Sequence, residues 1–194
     1  MILGLAAIGA IAFGVYMKSG TPGSTQKTPT ETASAKAAKK PTAKLTVEVT
    51  WKYNNFVGNK PDTNAAVYLI PTNTKLSLIV EIQNVYICGD KVARDLSQHG
   101  AFVTSVSGTG KAKIQKIPAG KYDLIIISAN TNEVINDDLQ RNSQNILSTH
   151  FSAETETARI SLRLAQYKNI SEQPVTIEDG DDLELSKDFG LTAY

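Results

Sequence analysis

The chain has 194 residues, a net charge of +1 and 7% aromatic residues. This fits one domain with appendages and gives no general electrostatic attraction for nucleic acid. A single cysteine, Cys88, excludes an internal disulfide framework, and His99 and His150 are too far apart in sequence to form a local metal motif. No Ser-His-Asp or paired-carboxylate spacing stands out, so no catalytic, cofactor-binding or metal-ligating residue is assigned.

Residues Ile2 to Met17 form an unbroken apolar run closed by Lys18. Sixteen helical residues would span roughly 24 Å, close to a hydrocarbon core of ~30 Å once Lys18 extends toward the headgroups. The run has no basic segment ahead of it and no small-x-small cleavage site after it, so residues 1–18 read as an uncleaved membrane anchor in preference to a signal peptide. Ala6, Ala10 and Gly14 recur at every fourth position, a spacing that lets membrane helices approach closely, although small residues are common throughout the segment. Residues 19–43 are rich in Thr, Ser, Ala, Pro and Lys and hold no large apolar side chain. They read as a flexible basic linker.

The folded part is expected over residues 44–194. Leu45 to Trp51 alternates, placing Leu45, Val47, Val49 and Trp51 on one face of a half-buried strand. Trp51 fits a core-edge anchor better than a ligand platform. A loop follows, then a second strand, Ala65 to Pro71. Leu76 to Cys88 fits strand and helix periodicity equally, and Cys88 reads there as a small buried hydrophobe. Ala101–Val106, Lys111–Ile117 and Tyr122–Ile127 form three further strands, separated by Gly108-Thr-Gly110 and by Pro118-Ala-Gly120. Short turns of this kind predict a meander. In the last of these strands Leu124, Ile125, Ile126 and Ile127 are consecutive, so both of its faces should be covered.

Two stretches resemble transthyretin-like, carboxypeptidase regulatory-type domains. One is the hairpin containing Val49-Thr-Trp51, Gly58-Asn-Lys-Pro-Asp62 and Ala65-Ala-Val-Tyr-Leu-Ile-Pro71. The other is Gly108-Thr-Gly-Lys-Ala-Lys-Ile-Gln-Lys-Ile-Pro-Ala-Gly-Lys-Tyr122. The resemblance covers about Lys44 to Ser128. It implies a Greek-key β-sandwich of seven or eight strands, extracytoplasmic, that binds or spaces and does not catalyse. The stretch between the two signatures, Asn73 to Gly100, is longer than a hairpin needs.

Beyond Ser128, residues Val134, Ile135, Leu139, Ile146, Leu147 and Phe151 give an interrupted helical stripe from about Asn130 to Phe151, expected to pack over one face or end of the sheets. Ile160, Leu162 and Leu164 alternate with polar residues, which fits a strand. Val175 to Leu185 reads as a hairpin around Asp179-Gly180. Glu178, Asp179, Asp181, Asp182 and Glu184 crowd that turn without EF-hand spacing, so a solvated tip is preferred to a calcium site. Asp188-Phe-Gly190 lacks the companion loops of a kinase.

The fold class is therefore mainly β: a transthyretin-like Greek-key sandwich with a small helical insertion, preceded by an apolar helix and a disordered linker. The functional expectation is a non-catalytic surface domain, tethered to a lipid bilayer through residues 2–17, that binds a protein or carbohydrate-type ligand or acts as a spacer. Alternatives are a membrane or filament subunit that self-associates through its N-terminal helix, and a secreted hydrolase or its accessory domain. Nucleic acid and cofactors are not expected. The linker lysines alone would place the domain in the cytoplasm, but the resemblance places it outside, and only Lys18 lies close to the membrane. The reading follows the resemblance. If the compositional break before Lys44 marks the domain edge, a chain lacking residues 1–43 retains one cooperative denaturation transition; a broad, non-cooperative melt would place the edge elsewhere.

Overall fold

The computed structural model describes residues 42–52, 56, 58–78, 96, 97, 99–131 and 137–191. The expected anchor, nearly all of the linker, and residues 79–95 with Cys88 lie outside them. Among the described residues the chain is mainly β. In order it forms β1 (Ala43–Lys52), β2 (Asn59–Pro61), β3 (Ala66–Pro71), β4 (Leu76–Leu78), β5 (Phe102–Ser105), β6 (Lys111–Ile117) and β7 (Gly120–Thr131). These are followed by α1 (Asp137–His150), β8 (Phe151–Ala153), α2 (Glu156–Ala165), β9 (Lys168–Ile177) and β10 (Asp182–Leu191).

Two four-stranded sheets hold most of these strands. In the first, β1 lies between β10, which is parallel to it, and two antiparallel partners on its other edge. Of these, β6 pairs along Ala43–Glu48 and β2 along Thr50–Lys52. In the second the order is β5-β3-β7-β9, all antiparallel. A short parallel pair, β4 and β8, stands apart.

Side-chain alternation explains the division. Strand β1 turns Ala43, Leu45, Val47 and Val49 inward, and β6 turns Ala112, Ile114 and Ile117 to the same apolar cluster. That cluster also receives Val67 and Leu69 of β3, Leu124 and Ile126 of β7, and Val175 and Ile177 of β9. The opposite face of the second sheet enters another cluster. Here Tyr68, Ile70, Ile125, Ile127 and Ile170 meet Ile146, Leu147, Phe151, Ala158 and Ala165 from the helical segment. Tyr68 packs edge-to-face on Phe151, with ring centroids 5.2 Å apart. The second sheet is thus covered on both sides, as the consecutive apolar residues of β7 predicted.

The meander does not form. Strands β5, β6 and β7 follow one another closely, yet β6 belongs to the first sheet and its neighbours to the second. The reason is the facing of their side chains. Strand β6 is apolar on one face only, with Lys111, Lys113 and Gln115 exposed, so it suits an outer sheet, whereas β7 is apolar on both. The Pro118–Gly120 turn therefore crosses between sheets, with Lys116 at φ 60° where the chain bends. Tyr122 steadies it by donating from its hydroxyl to the Pro118 carbonyl at 2.9 Å. A Cβ on Gly120 would come within 3.2 Å of the Tyr122 ring, so the glycine makes room for that closure.

The same correction applies at Asp179-Gly180. Strands β9 and β10 lie in different sheets, so this turn is a crossing and not a hairpin. The segment 158–167, whose alternation suggested a strand, is mostly helix α2. Thr155 caps it by accepting from the Ala158 backbone N–H at 3.2 Å. Of the stripe expected over 130–151, Asn130 and Thr131 end β7, Val134 and Ile135 lie outside the described residues, 137–150 is α1 and Phe151 opens β8. Helices α1 and α2 thus fall between β7 and β9, and the observed helical cover comes from here.

Leu124 and Ile125 are buried on opposite faces of β7. Truncating either to Ala should cost roughly 2–5 kcal/mol. Chemical denaturation checks this, and a loss below about 1 kcal/mol for either variant would mean that its face is solvent-accessible.

Candidate ligand-binding face

The outer face of the first sheet is polar because inward alternation leaves it so. Strand β1 presents Lys44, Thr46, Glu48 and Thr50; β6 presents Lys111, Lys113 and Gln115; β10 presents Asp182, Glu184, Ser186 and Asp188. Registers align them in rungs: Thr46 lies between Lys113 and Glu184, and Glu48 between Lys111 and Ser186. One flank of the face is basic and the other acidic. Lys44 and Asp182 pair at 3.7 Å, both well exposed, which contributes little.

At the β2 end this face deepens into a groove of about 550 Å³, lined by Glu48, Thr50, Asn59, Pro61, Thr109, Gly110, Ser186, Lys187 and Asp188. The Asn59 side-chain amide donates to Asp188 Oδ2 at 2.8 Å, and the Gly190 backbone N–H to Asp188 Oδ1 at 3.0 Å, so that carboxylate is held in place. Gly110 sits at φ +80°, and a Cβ there would meet Pro61 Cβ at 3.4 Å. This close approach fixes the groove's far wall against β2.

Beneath that wall lies a buried acid. Asp62 directly follows β2 and is fully buried. Its Oδ2 accepts from Ser128 Oγ at 2.6 Å, and its Oδ1 from Asn130 Nδ2 at 2.9 Å and from the Ala129 N–H at 3.2 Å. Lys168 Nζ donates to the carbonyl of the same Ala129 at 2.5 Å. Burial pushes the Asp62 carboxyl above the usual carboxylate range, against the opposing pull of the Ser128, Ala129 and Asn130 hydrogen bonds and the Lys168 charge. Burial likewise lowers the Lys168 ammonium, with Asp62 acting in the other direction. This cluster ties the β2–β3 connection to the end of β7 and the start of β9, and so positions Asn59 and Pro61. Both carboxylate oxygens are engaged within the fold, which makes Asp62 a structural clasp.

The residues weighed from the sequence fall elsewhere. His99 is exposed, while His150 is buried on the helical side, with Nε2 2.6 Å from Glu172 Oε1. Trp51 is half-buried at the end of β1. The acids near Asp179 are spent locally: Asp181 Oδ2 accepts from the Glu178 N–H at 2.7 Å, and Asp179 Oδ1 from Thr42 Oγ1 at 2.9 Å. Among the described residues no group of three or more His, Cys, Asp or Glu side chains could hold a metal ion, and no helix is long and apolar enough to cross a membrane. Sequence reading missed Asp62, which lay in a loop of turn-forming residues.

No family model matches the chain, and neither does any curated protein with which it was compared. Similar solved structures include a Pseudomonas aeruginosa protein provisionally described as carbohydrate-binding, at 9% identity and TM-score 0.38, covering 76% of this chain and 90% of that one. They also include GBS52, the minor pilin of the Gram-positive pathogen Streptococcus agalactiae, at 12% identity and TM-score 0.40, covering 78% of this chain and 45% of the pilin. The chain thus spans under half the pilin's length. Likenesses this distant assign neither family nor function.

Asp62→Ala should cost roughly 3 kcal/mol, since it strands Ser128, Asn130 and the Ala129 N–H around an empty site. The pH dependence has a defined sign. A raised folded pKa means the folded state holds the proton more tightly, so this group's contribution is fully present below pH 3.8 and is lost as pH rises through the raised value. In Asp62→Asn that term is absent. The stability of the wild type relative to Asp62→Asn should therefore fall as pH rises from 3.8, measured by denaturant midpoints; a gap that does not vary with pH would contradict this.

Proposed function

We propose that the chain is a non-catalytic surface domain, a transthyretin-like Greek-key sandwich tethered to a bilayer through residues 2–17, that binds a hydroxyl-rich, carbohydrate-type ligand in the groove between β2 and β10. The observation that carries this reading is the chemistry of the groove. Its carboxylates (Glu48, Asp188), hydroxyls (Thr50, Thr109, Ser186) and amide (Asn59) are hydrogen-bonding groups, most of them held on strands. Protein–protein hot spots favour Trp, Tyr and Arg in desolvated pockets, and none of these is among the described residues that line this groove. The tether rests on the apolar run and the linker composition. The sandwich rests on one apolar cluster fed by both sheets and on the structural roles of Gly110, Gly120 and Tyr122 in the resemblance motif.

The full chain in detergent, presented to arrayed neutral oligosaccharides, should bind a subset of them. The Glu48→Ala, Asp188→Ala double variant should bind that subset roughly tenfold or more weakly while still unfolding in one cooperative transition above the assay temperature, since hydrogen bonds to charged groups are worth about 1.5–3 kcal/mol. Undiminished binding by the variant would remove the groove from the account. No binding by the wild type would remove the ligand class.

A further inference from the structure

Helix α2 packs the wrong way round for an ordinary amphipathic helix. It turns small residues, Ala158, Ser161 and Ala165, toward the core with Leu162 partly buried beside them, and leaves Ile160 and Leu164 outward. Ile160 is 48% exposed, Leu164 49% and Tyr167, one turn later, 42%. Ile160 and Leu164 fall at i and i+4 on one side of the helix, and Tyr167 follows just past its C-cap, Gln166. Arg159 and Arg163, both exposed, run beside them on the same outward side. Arg159 pairs with Glu156 at 2.9 Å, an exposed contact that competing anions can replace at little cost. Apolar side chains that could have been buried are left in water, and that arrangement calls for a cover.

We propose that this outward face of α2 is a second membrane contact, lying on an anionic bilayer with Ile160, Leu164 and Tyr167 at the headgroup–acyl boundary and Arg159 and Arg163 on lipid phosphates. The inference rests on the tether reading. Two arguments select a lipid surface over a protein. The first is charge: arginines flanking an aliphatic stripe with a terminal tyrosine match an interface that is apolar below, phosphate-bearing above and receptive to amphipathic rings between. The second is area. A ten-residue helix is only about 15 Å long, and one face of it falls well short of the ~800 Å² per partner that a stable protein interface requires. A weak contact suffices at a membrane to which the chain is already anchored, because tethering raises its effective concentration. The anchor is joined to β1 by a linker of about 25 residues, whose root-mean-square span of roughly 25–30 Å keeps the domain within reach of the surface.

The test uses the full chain with Cys88→Ser and a fluorophore on Thr157→Cys, beside the stripe, or on Lys113→Cys, on the outer sheet. Each is reconstituted into vesicles of phosphatidylcholine with phosphatidylserine that contain a lipid-borne quencher. Flotation with the vesicles reports the tether, and quenching reports α2. The inference expects flotation, with quenching at 157 and not at 113. Ile160→Ser with Leu164→Ser should abolish the quenching, and Arg159→Gln with Arg163→Gln should lower the docked-to-undocked ratio roughly tenfold, flotation being unaffected. Flotation without quenching at 157 overturns the inference and leaves the tether standing. A probe at 157 that is shielded but unquenched would identify a protein or a second copy as the cover and also overturns it. Equal quenching in the Ile160/Leu164 variant, or in vesicles of phosphatidylcholine alone, contradicts the assigned face or the assigned charge. Failure to float removes the tether, and this inference with it.

Discussion

The structure depends on strands β3 and β7 being apolar on both faces. Tyr68 and Ile70 point one way while Val67 and Leu69 point the other, and β7 repeats the arrangement with Ile125 and Ile127 against Leu124 and Ile126. A sheet built on such strands cannot face water on either side. One cover is the first sheet, whose strands are apolar on one face only. The other is α1, β8 and α2. The turns at Pro118–Gly120 and at Asp179–Gly180 both carry the chain between the two sheets, the first from one-faced β6 to two-faced β7.

The same constraint produces the candidate binding face. Because β1, β6 and β10 turn their apolar residues inward, their charged and hydroxyl residues collect on the outer surface in register. The Asp62 cluster then adds what alternation cannot, a fixed position for Asn59 and Pro61 at one end of that surface. A buried carboxylate costs free energy, and here three hydrogen bonds and a nearby ammonium offset part of it. Burying it holds one wall of the groove in a defined place.

Much of this was legible in the residues. The alternation of Leu45 to Val49 specified a one-faced strand, and the run Leu124 to Ile127 specified a two-faced one. Strand partners were not legible, because turn chemistry sets local φ and ψ and says nothing of which sheet the chain enters next. Helix α2 was hidden for another reason. Its packing face is mostly small, Ala158, Ser161 and Ala165 with Leu162 partly buried beside them, which hydropathy hardly marks, while Ile160, Leu162 and Leu164 happened to alternate. Thr155 ahead of Glu156 was the available signal, a cap followed by an acid in the first turn. Asp62 could not be found by spacing, since its side-chain partners lie 66 to 68 residues away in sequence.

The helical layer is the thinner of the two covers. Helix α1 buries Ile146 and Leu147 alongside the polar Ser143 and His150, and its remaining residues face outward. The central claim is that the doubly covered strands hold the domain together while this layer rests on them. Native-state hydrogen exchange tests it most directly. The account predicts that the amides of residues 122–128 exchange only through global unfolding, while those of residues 137–150 open at a lower free energy. Equal protection of the two segments, or exchange of β7 before α1, would contradict it.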